Sequence, residues 1–289
     1  MEILSNSELT IKVNSFGAEL SSIIANGQEY LWQADPTFWK RHSPVLFPFV
    51  GSVWEGSYHH KGKEYPMGQH GFARDMEFEL VSQSNEEVSY RLLSTPETLQ
   101  KYPFPFQLEI TYRLHGKKID VIWRVTNIGN ETLHFQIGAH PAFYYPDYNK
   151  DTEKRGFFGF NRKDGLEYIL VAEKGCADPE THYPLHLSDG LLPLDIHTFD
   201  KDALILEDSQ VNEVVLYTNN RRPWMAIKFD APLVGLWSPP FKDAPFVCIE
   251  PWYGRCDRTH YIGELKDRDW MQHLDPEYMF ESCYTIEIK

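Results

Sequence analysis

Three short segments of the chain set ionisable side chains beside glycine, proline or aromatic residues, a pattern typical of strand ends and loops that hold a ligand. The segments are Gly-Gln-His-Gly-Phe-Ala-Arg at 68–74, Gly-Ala-His-Pro-Ala-Phe at 138–143 and Phe-Val-Cys-Ile-Glu-Pro-Trp at 246–252. Together they supply two histidines and a glutamate, side chains whose pKa can be brought near neutral pH. Such a set can carry acid–base chemistry, in which one group removes a proton and another donates one.

Glu250 and His140 each allow two interpretations when taken alone. Glu250 follows the apolar residues Val-Cys-Ile, and a carboxylate deep in a core is costly unless it is paired. It is therefore either a functional group or a glutamate that has just reached solvent at a strand end. His140 lies between small residues and a proline, where a histidine can simply satisfy the backbone of a loop.

His70 and Arg74 share the first segment. Gly71 follows His70 directly, and glycine allows close approach of another backbone or a ligand, which favours a ligand-facing loop. Arg74 could instead pair with one of the acids that follow it, Asp75 or Glu77.

Several reaction classes lack their usual sequence support. The chain has no G-x-S-x-G elbow, no Walker A loop, no G-x-G-x-x-G and no H-E-x-x-H, which disfavours an α/β-hydrolase, nucleotide-driven chemistry and a zinc protease. The adjacent His59 and His60 lie in a predicted turn region. They are interpreted as solvated, because a third ligand at a suitable spacing is not evident.

Charge and cysteine content narrow the partners and the compartment. The 28 Lys+Arg and 42 Asp+Glu residues give a net charge of −14, which repels nucleic acid and an anionic membrane surface. The N-terminus lacks a signal-peptide pattern, and no apolar run approaches the ~20 residues that cross a bilayer. Cys248 and Cys256 could be bridged, but sparse cysteines in a long chain are expected to stay reduced. We expect a cytoplasmic protein.

The elements that must position these residues are strands, since apolar–polar alternation dominates and helical periodicity is rare. Asn26-Gly27 predicts a type I′ turn between strands at 21–25 and 30–32, and Pro96 favours a short helix at 96–100. A three-strand meander is predicted over 107–114, 119–126 and 132–137, and a long surface loop over 147–165. Further strands are predicted at 9–13, 77–81, 88–93, 214–217, 225–229, 234–237, 246–250 and 284–288.

No linker and no internal repeat divides the chain. The sequence therefore predicts one domain over residues 1–289, all-β, folded as a large antiparallel β-sandwich with its function in loops.

Taken together, HGFAR at 70–74, HPAF at 140–143 and IEPW at 249–252 resemble the aldose 1-epimerase superfamily. The order and separations of the motifs match, the likeness extends over nearly the whole chain, and the divergent bacterial branch related to galactose mutarotase is most similar. The resemblance implies a galactose mutarotase-like β-supersandwich that binds a hexose in an open cleft. It also implies catalysis without a metal or an organic cofactor.

The resemblance also implies roles for individual residues. His140 corresponds to the family's general acid, Glu250 to its general base, and His70 to a histidine that contacts the sugar ring. Three further residues are substrate-binding candidates: Arg41 in Lys-Arg-His-Ser-Pro at 40–44, Arg74 in the first motif, and Asp202 in Asp-Lys-Asp-Ala-Leu-Ile at 200–205. Asp200 is near enough to Asp202 that the choice between these two stays open.

Interconversion of α- and β-anomers suits such a pair. One group removes the O1 proton while the other protonates the ring oxygen O5, and the same pair works in reverse after rotation about C1–C2. Positioned acid–base catalysis of this kind contributes about 10²- to 10⁴-fold.

Three alternatives to a free-hexose epimerase remain on the sequence. A hexose 6-phosphate epimerase needs a cationic pocket, to which Lys40, Arg41 and Arg74 could contribute. A carbohydrate-binding protein without activity is possible on the same fold, although it would need neither an acid nor a base. A glycoside hydrolase requires two acids, and Glu250 and Asp257 are its only support.

Overall fold

The chain is built almost entirely of short antiparallel strands. The computed structural model describes residues 1–289 and contains 25 strands. In chain order they are β1 (Glu2–Ser5), β2 (Leu9–Val13), β3 (Leu20–Ala25), β4 (Gln28–Glu29), β5 (Val45–Leu46), β6 (Ser57–His60), β7 (Lys63–Pro66), β8 (Glu79–Gln83), β9 (Glu87–Leu93), β10 (Phe106–His115), β11 (Lys118–Asn127), β12 (Leu133–Phe135), β13 (Ile137–Ala139), β14 (Ala142–Tyr144), β15 (Lys154–Phe160), β16 (Glu167–Val171), β17 (Ala177–Pro184), β18 (Leu191–Asp195), β19 (Leu204–Leu206), β20 (Glu213–Tyr217), β21 (Pro223–Phe229), β22 (Leu233–Trp237), β23 (Phe246–Tyr253), β24 (Gln272–Leu274) and β25 (Met279–Ile288).

Helices are few and short. The one α-helix, α1 (Pro96–Lys101), begins where Thr95 accepts a hydrogen bond from the Thr98 amide, with proline at the first helical turn. That proline confirms the predicted helix start, since its fixed φ suits this position. Four single-turn 3₁₀ segments complete the set: Trp54–Gly56, Ala73–Asp75, Glu173–Gly175 and Leu265–Asp267.

Two large sheets face each other across the main core. One has nine strands in the order β18-β15-β20-β21-β25-β11-β10-β9-β8, and the other has eight, in the order β17-β16-β19-β22-β23-β13-β5 with β14 also paired to β23. A four-stranded sheet, β1-β2-β3-β4, and two pairs, β12-β24 and β6-β7, lie beside them. The predicted all-β sandwich is confirmed.

The eight-stranded sheet is buried on both faces, and this determines where function lies. In β23, Val247 and Ile249 pack into the main core, whereas Phe246, Cys248 and Trp252 belong to smaller clusters on the opposite face. Successive residues of a strand point to opposite faces. Glu250 therefore lies on the same face as Cys248 and Trp252.

Most of the predicted strands are confirmed within a residue or two. The Asn26-Gly27 turn has φ of 51° and 76° at its two residues, as a type I′ turn requires. The returning strand of that hairpin pairs through Gln28 and Glu29 instead of residues 30–32. β23 also continues past Glu250 to Tyr253, so the prediction that the strand ends at this glutamate is wrong.

The third strand of the predicted meander is wrong in its pairing. β10 and β11 pair as expected, but the other neighbour of β11 is β25, from the end of the chain. The segment at 132–137 is divided instead, with β12 pairing to β24 and β13 joining the eight-stranded sheet. Closeness in sequence led to the prediction of a local third strand, but β11 pairs instead with the distant β25.

The predicted surface loop at 147–165 is wrong over residues 154–160. β15 occupies residues 154–160 within the nine-stranded sheet and buries Phe158 and Phe160. Glycines in this strand are required by close packing, since a Cβ at Gly159 would lie 2.6 Å from the ring of Tyr217. These glycines, which suggested a loop, are packing features of a strand.

All four cysteines are free thiols. Cys248 and Cys256 belong to different apolar clusters.

No helix in the chain has the length and apolar character needed to cross a membrane. The two adjacent histidines lie on β6, not in the turn that follows it, and His60 packs against Phe104.

Candidate active site

A cleft opens on the outer face of the eight-stranded sheet, and Glu250 lies on its floor. Its volume is about 220 Å³, below the roughly 300–1,000 Å³ of sites for drug-sized ligands, so it suits a small molecule. The side chains that surround it are Trp39, Val50, Gln69, His70, Arg74, His140, Val171, Asp202, Ala203, Ile205, Trp237, Glu250, Trp252 and Cys256, together with the backbone of Gly51 and Gly175.

Strand register brings His140 and Glu250 together. β13 pairs with β23 through Gly138 and Trp252, and β14 pairs with the same strand through Ala142 and Cys248. His140 and Glu250 lie midway between these two pairs, so the register sets them opposite each other. Their side chains meet with His140 Nδ1 3.4 Å from Glu250 Oε1.

Both members of this pair are buried, and each has one polar atom without a hydrogen-bond partner. Glu250 is 1% exposed and His140 is 7% exposed. Neither His140 Nδ1 nor Glu250 Oε2 has a hydrogen-bond partner, and such atoms are costly to bury. Burial raises the pKa of Glu250 well above 4.5, with Asp202 adding to the effect. Burial lowers the pKa of His140 to about 3, with Arg74 adding to it.

Aromatic rings hold His140 and form the cleft walls. Trp39 stacks on the imidazole with ring centroids 4.7 Å apart, and Trp237 meets it edge-on at 5.3 Å. Trp252 donates a hydrogen bond to the Ala139 carbonyl and lies across Gly235, where a Cβ would be 2.3 Å from its ring. A rigid imidazole between flat apolar surfaces is suited to a sugar, whose C–H faces pack on aromatic rings.

His70 reaches the cleft from a loop with a left-handed backbone. His70 and Gly71 have φ of 65° and 68°, and the Gly51 amide donates to His70 Nδ1 at 3.0 Å. The pKa of His70 is lowered well below 6.5 by burial and by His140. His70 is therefore neutral with its proton on Nε2, which can donate a hydrogen bond to a ligand.

Gly71→Ala is expected to lower the free energy of unfolding and to displace His70. A Cβ there would lie 2.3 Å from the Phe47 carbonyl oxygen. The left-handed backbone adds about 1–2 kcal/mol to an overpacking cost of about 1–3 kcal/mol. Thermal unfolding and kcat/KM measure both effects. Gly62→Ala is the matched control, because Gly62 has φ of 73° and nothing within 4 Å of a Cβ; equal losses in the two variants would contradict the steric explanation.

The two arginine candidates lie in different positions. Arg74 lines the cleft, donates through Nη2 to the Gln69 carbonyl, and leaves its Nε buried without a partner. Its Nε is 3.8 Å from Asp75, a weak form of the pairing that the sequence allowed. Arg41 is not among the lining residues and pairs with Asp75 at 2.8 Å. Arg41 is still close enough to help lower the pKa of His70 and His140.

Asp202, not Asp200, faces the cleft. Asp202 lines the cavity with a left-handed backbone, φ 72°, two residues before the start of β19. Its Oδ1 accepts the amide of Ala203, and its charge contributes to raising the pKa of Glu250. Asp200 pairs with His197 at 2.9 Å instead. Asp202 is therefore the better candidate for a sugar hydroxyl.

Several residues that line the cleft could not be recognised as functional from the sequence. Trp39 and Trp237 occur among many core aromatics, and Val171 and Ile205 are ordinary strand residues. Alternation along β16 and β19 brings these two aliphatic side chains to the cleft face, beside Trp252 in the same cluster. Cys248 lies two residues before Glu250 on the same face of β23, and its Sγ is near His140 and Glu250.

A buried network of ion pairs lies next to the cleft-lining residue Cys256. Arg255 donates to Glu207 at 2.7 Å and to Asp269 at 2.6 Å. Arg268 donates to Asp257 at 2.5 Å, and the other oxygen of Asp257 accepts the Trp54 amide. The Arg268 and Asp257 side chains are 1% and 3% exposed. This network fixes the chain segment that contributes Cys256 to the cleft.

Comparison with solved structures gives the same architecture. A galactose mutarotase related enzyme from Lactobacillus acidophilus matches with a TM-score of 0.92 and 31% identity, covering 100% of this chain and 97% of that chain. A galactose mutarotase-like protein from Lactobacillus casei ATCC 334 matches with a TM-score of 0.92 and 28% identity, covering 100% of both chains. The fold is therefore that of the galactose mutarotase-like proteins, as the sequence motifs predicted.

Sequence comparison places the chain within one family. The aldose 1-epimerase family model matches residues 2–261. The plasmid-encoded protein LacX of Lactococcus lactis subsp. lactis is 31% identical over 294 aligned positions, covering 99% of this chain and 98% of LacX. The chain belongs to the aldose 1-epimerase family.

Proposed function

We propose that this protein is an aldose 1-epimerase that interconverts the α- and β-anomers of a hexose, with His140 as general acid and Glu250 as general base. Family membership supports a sugar epimerase type of function. The observation that carries the proposal is the buried pair of His140 and Glu250 on the floor of a small aromatic cleft, 3.4 Å apart and each with one unpartnered polar atom.

The reaction requires two proton transfers on each side of ring opening. Glu250 removes the O1 proton and His140 protonates the ring oxygen O5, which breaks the C1–O5 bond and leaves an aldehyde. Rotation about C1–C2 presents the other face, and His140 then takes back the O5 proton while Glu250 returns one to O1. His70 and Asp202 hold sugar hydroxyls, and Trp39 and Trp237 fix the plane of the imidazole.

The charge state of the pair suits this cycle. With the pKa of His140 lowered and that of Glu250 raised, the two groups hold one proton at any pH between these two pKa values, as one acid and one base must. In the free cleft this proton resides on Glu250. A sugar hydroxyl that donates to the carboxylate favours its ionised form, so sugar binding transfers the proton toward His140.

The pH dependence of kcat/KM is expected to be flat from about pH 5 up to the raised pKa of Glu250, since the pair keeps its single proton over this range. Activity falls on the acid side only as His140, with a pKa of about 3, gains a second proton. It falls on the alkaline side as Glu250 loses the shared proton. Measuring kcat/KM at a series of pH values across this range gives the profile. Groups with ordinary pKa values of 4.5 and 6.5 would instead lose activity through pH 7, and that result would contradict the proposed state.

A hexose 6-phosphate is the second candidate substrate, and the unpartnered Nε of Arg74 in the cleft is the observation that favours it. Polarimetry on glucose, galactose and their 6-phosphates separates the two. We expect a higher kcat/KM on a free hexose, because the Arg41–Asp75 pair already neutralises one of the two nearby guanidinium groups. A higher rate on the 6-phosphates, lost in Arg74→Met, would reverse the assignment. Sugar binding seen by tryptophan fluorescence without faster anomer exchange would indicate a binding protein.

A further inference from the structure

Two buried polar atoms on the cleft floor lack hydrogen-bond partners. His140 Nδ1 and Glu250 Oε2 lack partners, and His140 Nδ1 is 3.4 Å from Glu250 Oε1, too long for a hydrogen bond. Two ligands that each bind a tetrahedral zinc ion at about 2.0–2.2 Å are separated by about 3.3–3.5 Å. The spacing of this pair is therefore that of two ligands of one ion.

A third ligand completes the set. The Sγ of Cys248 and ligand atoms of His140 and Glu250 all lie within 4.8 Å of one another. Cys248 is two residues before Glu250 on the same face of β23 and is fully buried. One imidazole nitrogen, one thiolate sulfur and one carboxylate oxygen are donors that zinc accepts, and the cleft supplies an open fourth position.

We propose that Zn²⁺ binds reversibly to His140, Cys248 and Glu250 and thereby inhibits the enzyme. The Cys248 thiol releases its proton as the S–Zn bond forms, and any proton on Glu250 leaves as its oxygen binds. The ion then occupies the lone pairs that proton transfer needs. A soft thiolate selects zinc or cobalt over magnesium, which prefers oxygen ligands in octahedral geometry. The inhibition rests on the proposed function, whereas the binding does not.

The ring positions favour binding without a large rearrangement. Trp39 and Trp237 fix the plane of the imidazole on two sides, and β23 holds Cys248 and Glu250 at fixed spacing. The imidazole therefore needs little reorientation when an ion binds.

Absorption spectroscopy with Co²⁺ tests the site in the full-length protein. One equivalent of Co²⁺ is expected to give a thiolate-to-metal charge-transfer band and the visible bands of tetrahedral cobalt, both abolished by added Zn²⁺ and unaffected by Mg²⁺. Cys248→Ala is expected to lose the charge-transfer band and to bind at least about 10-fold more weakly. Cys248→Ser, which keeps the side-chain volume, gives a second test if the alanine variant folds poorly.

Matched controls distinguish this site from others on the chain. Cys283→Ala removes a thiol elsewhere and should keep the band. His273→Ala removes the exposed pair in which His134 Nδ1 and His273 Nδ1 are 2.8 Å apart, and it should also keep the band. Absence of one-equivalent binding in the wild type, or a charge-transfer band that persists in Cys248→Ala, would overturn the proposal.

Inhibition is measured separately, as the zinc concentration that halves each variant's own uninhibited rate. It should rise at least about 10-fold in Cys248→Ala, and an unchanged value would overturn the inhibitory role. Cobalt binding in a protein without epimerase activity would mean that the proposed function fails while the metal site stands. Epimerase activity without cobalt binding would mean the reverse.

Discussion

Glu250→Gln is expected to lower the rate of anomer interconversion by about 10²- to 10⁴-fold, the usual contribution of positioned acid–base catalysis. The amide keeps the shape of the side chain but cannot accept the O1 proton. Polarimetry on the preferred sugar measures the loss. Asp200→Asn is the matched control, because Asp200 pairs with His197 outside the cleft, and it should keep the wild-type rate.

The same substitution is expected to stabilise the protein above neutral pH. The pKa of Glu250 is raised in the folded chain, so its contribution to stability is complete below its unfolded pKa and is lost as pH rises toward its folded pKa. The loss is up to about 1.4 kcal/mol per pH unit. The Tm difference between Glu250→Gln and the wild type should therefore increase from about pH 5 to about pH 8. A variant that is inactive because it is unfolded, or that keeps its rate, would contradict this account.

Asp257→Ala is expected to lower the free energy of unfolding by about 3–5 kcal/mol, because it leaves the Arg268 guanidinium buried and unpaired. Arg268 is 1% exposed at its side chain and donates to Asp257 at 2.5 Å. The substitution also removes the acceptor of the Trp54 amide. In a chain of this size the loss corresponds to a Tm lower by roughly 5–15 °C.

Glu131→Ala is the control for that prediction. Lys61 and Glu131 are 2.7 Å apart, but their side chains are 65% and 57% exposed, and exposed pairs contribute about 0–1 kcal/mol. Calorimetry or denaturant unfolding measures both variants. Similar losses in the two would show that burial is not what makes the Arg268–Asp257 pair important.

The stability of this network and the chemistry of the cleft are linked through one chain segment. Asp257 also donates its backbone amide to the Ser52 carbonyl, and Cys256 packs against Gly51, whose amide orients His70. Loosening the segment therefore affects the position of His70 as well as the fold. Partial loss of activity in Asp257→Ala at temperatures below its Tm would follow from this arrangement.

Much of the fold could be predicted because alternation and turn residues are local signals. Asn26-Gly27, Pro96 and the alternating residues of β2, β10 and β11 each favour one local structure. The errors arise where contacts between distant segments determine the structure. β11 pairs with β25 across the length of the chain instead of with the adjacent 132–137 segment, and Gly156 and Gly159 are required by the packing of Tyr217 instead of by a loop.

The candidate site could be predicted only as separate motifs. That His140 faces Glu250 follows from the register of β13 and β14 on β23, which no single segment contains. The apolar residues before Glu250 suggested that this side chain could reach solvent at the end of a strand. Both faces of the eight-stranded sheet are covered, however, and Glu250 is buried. Trp39 and Trp237 could not be distinguished from core aromatics, and only the fold separates Asp202 from Asp200.

The most direct measurement is NMR exchange between the α- and β-anomers of glucose and galactose at catalytic protein concentration. We expect faster exchange with the wild type, lost in both His140→Asn and Glu250→Gln while each variant stays folded. Full acceleration in both variants would contradict the assignment of this buried pair as the proton-transfer groups.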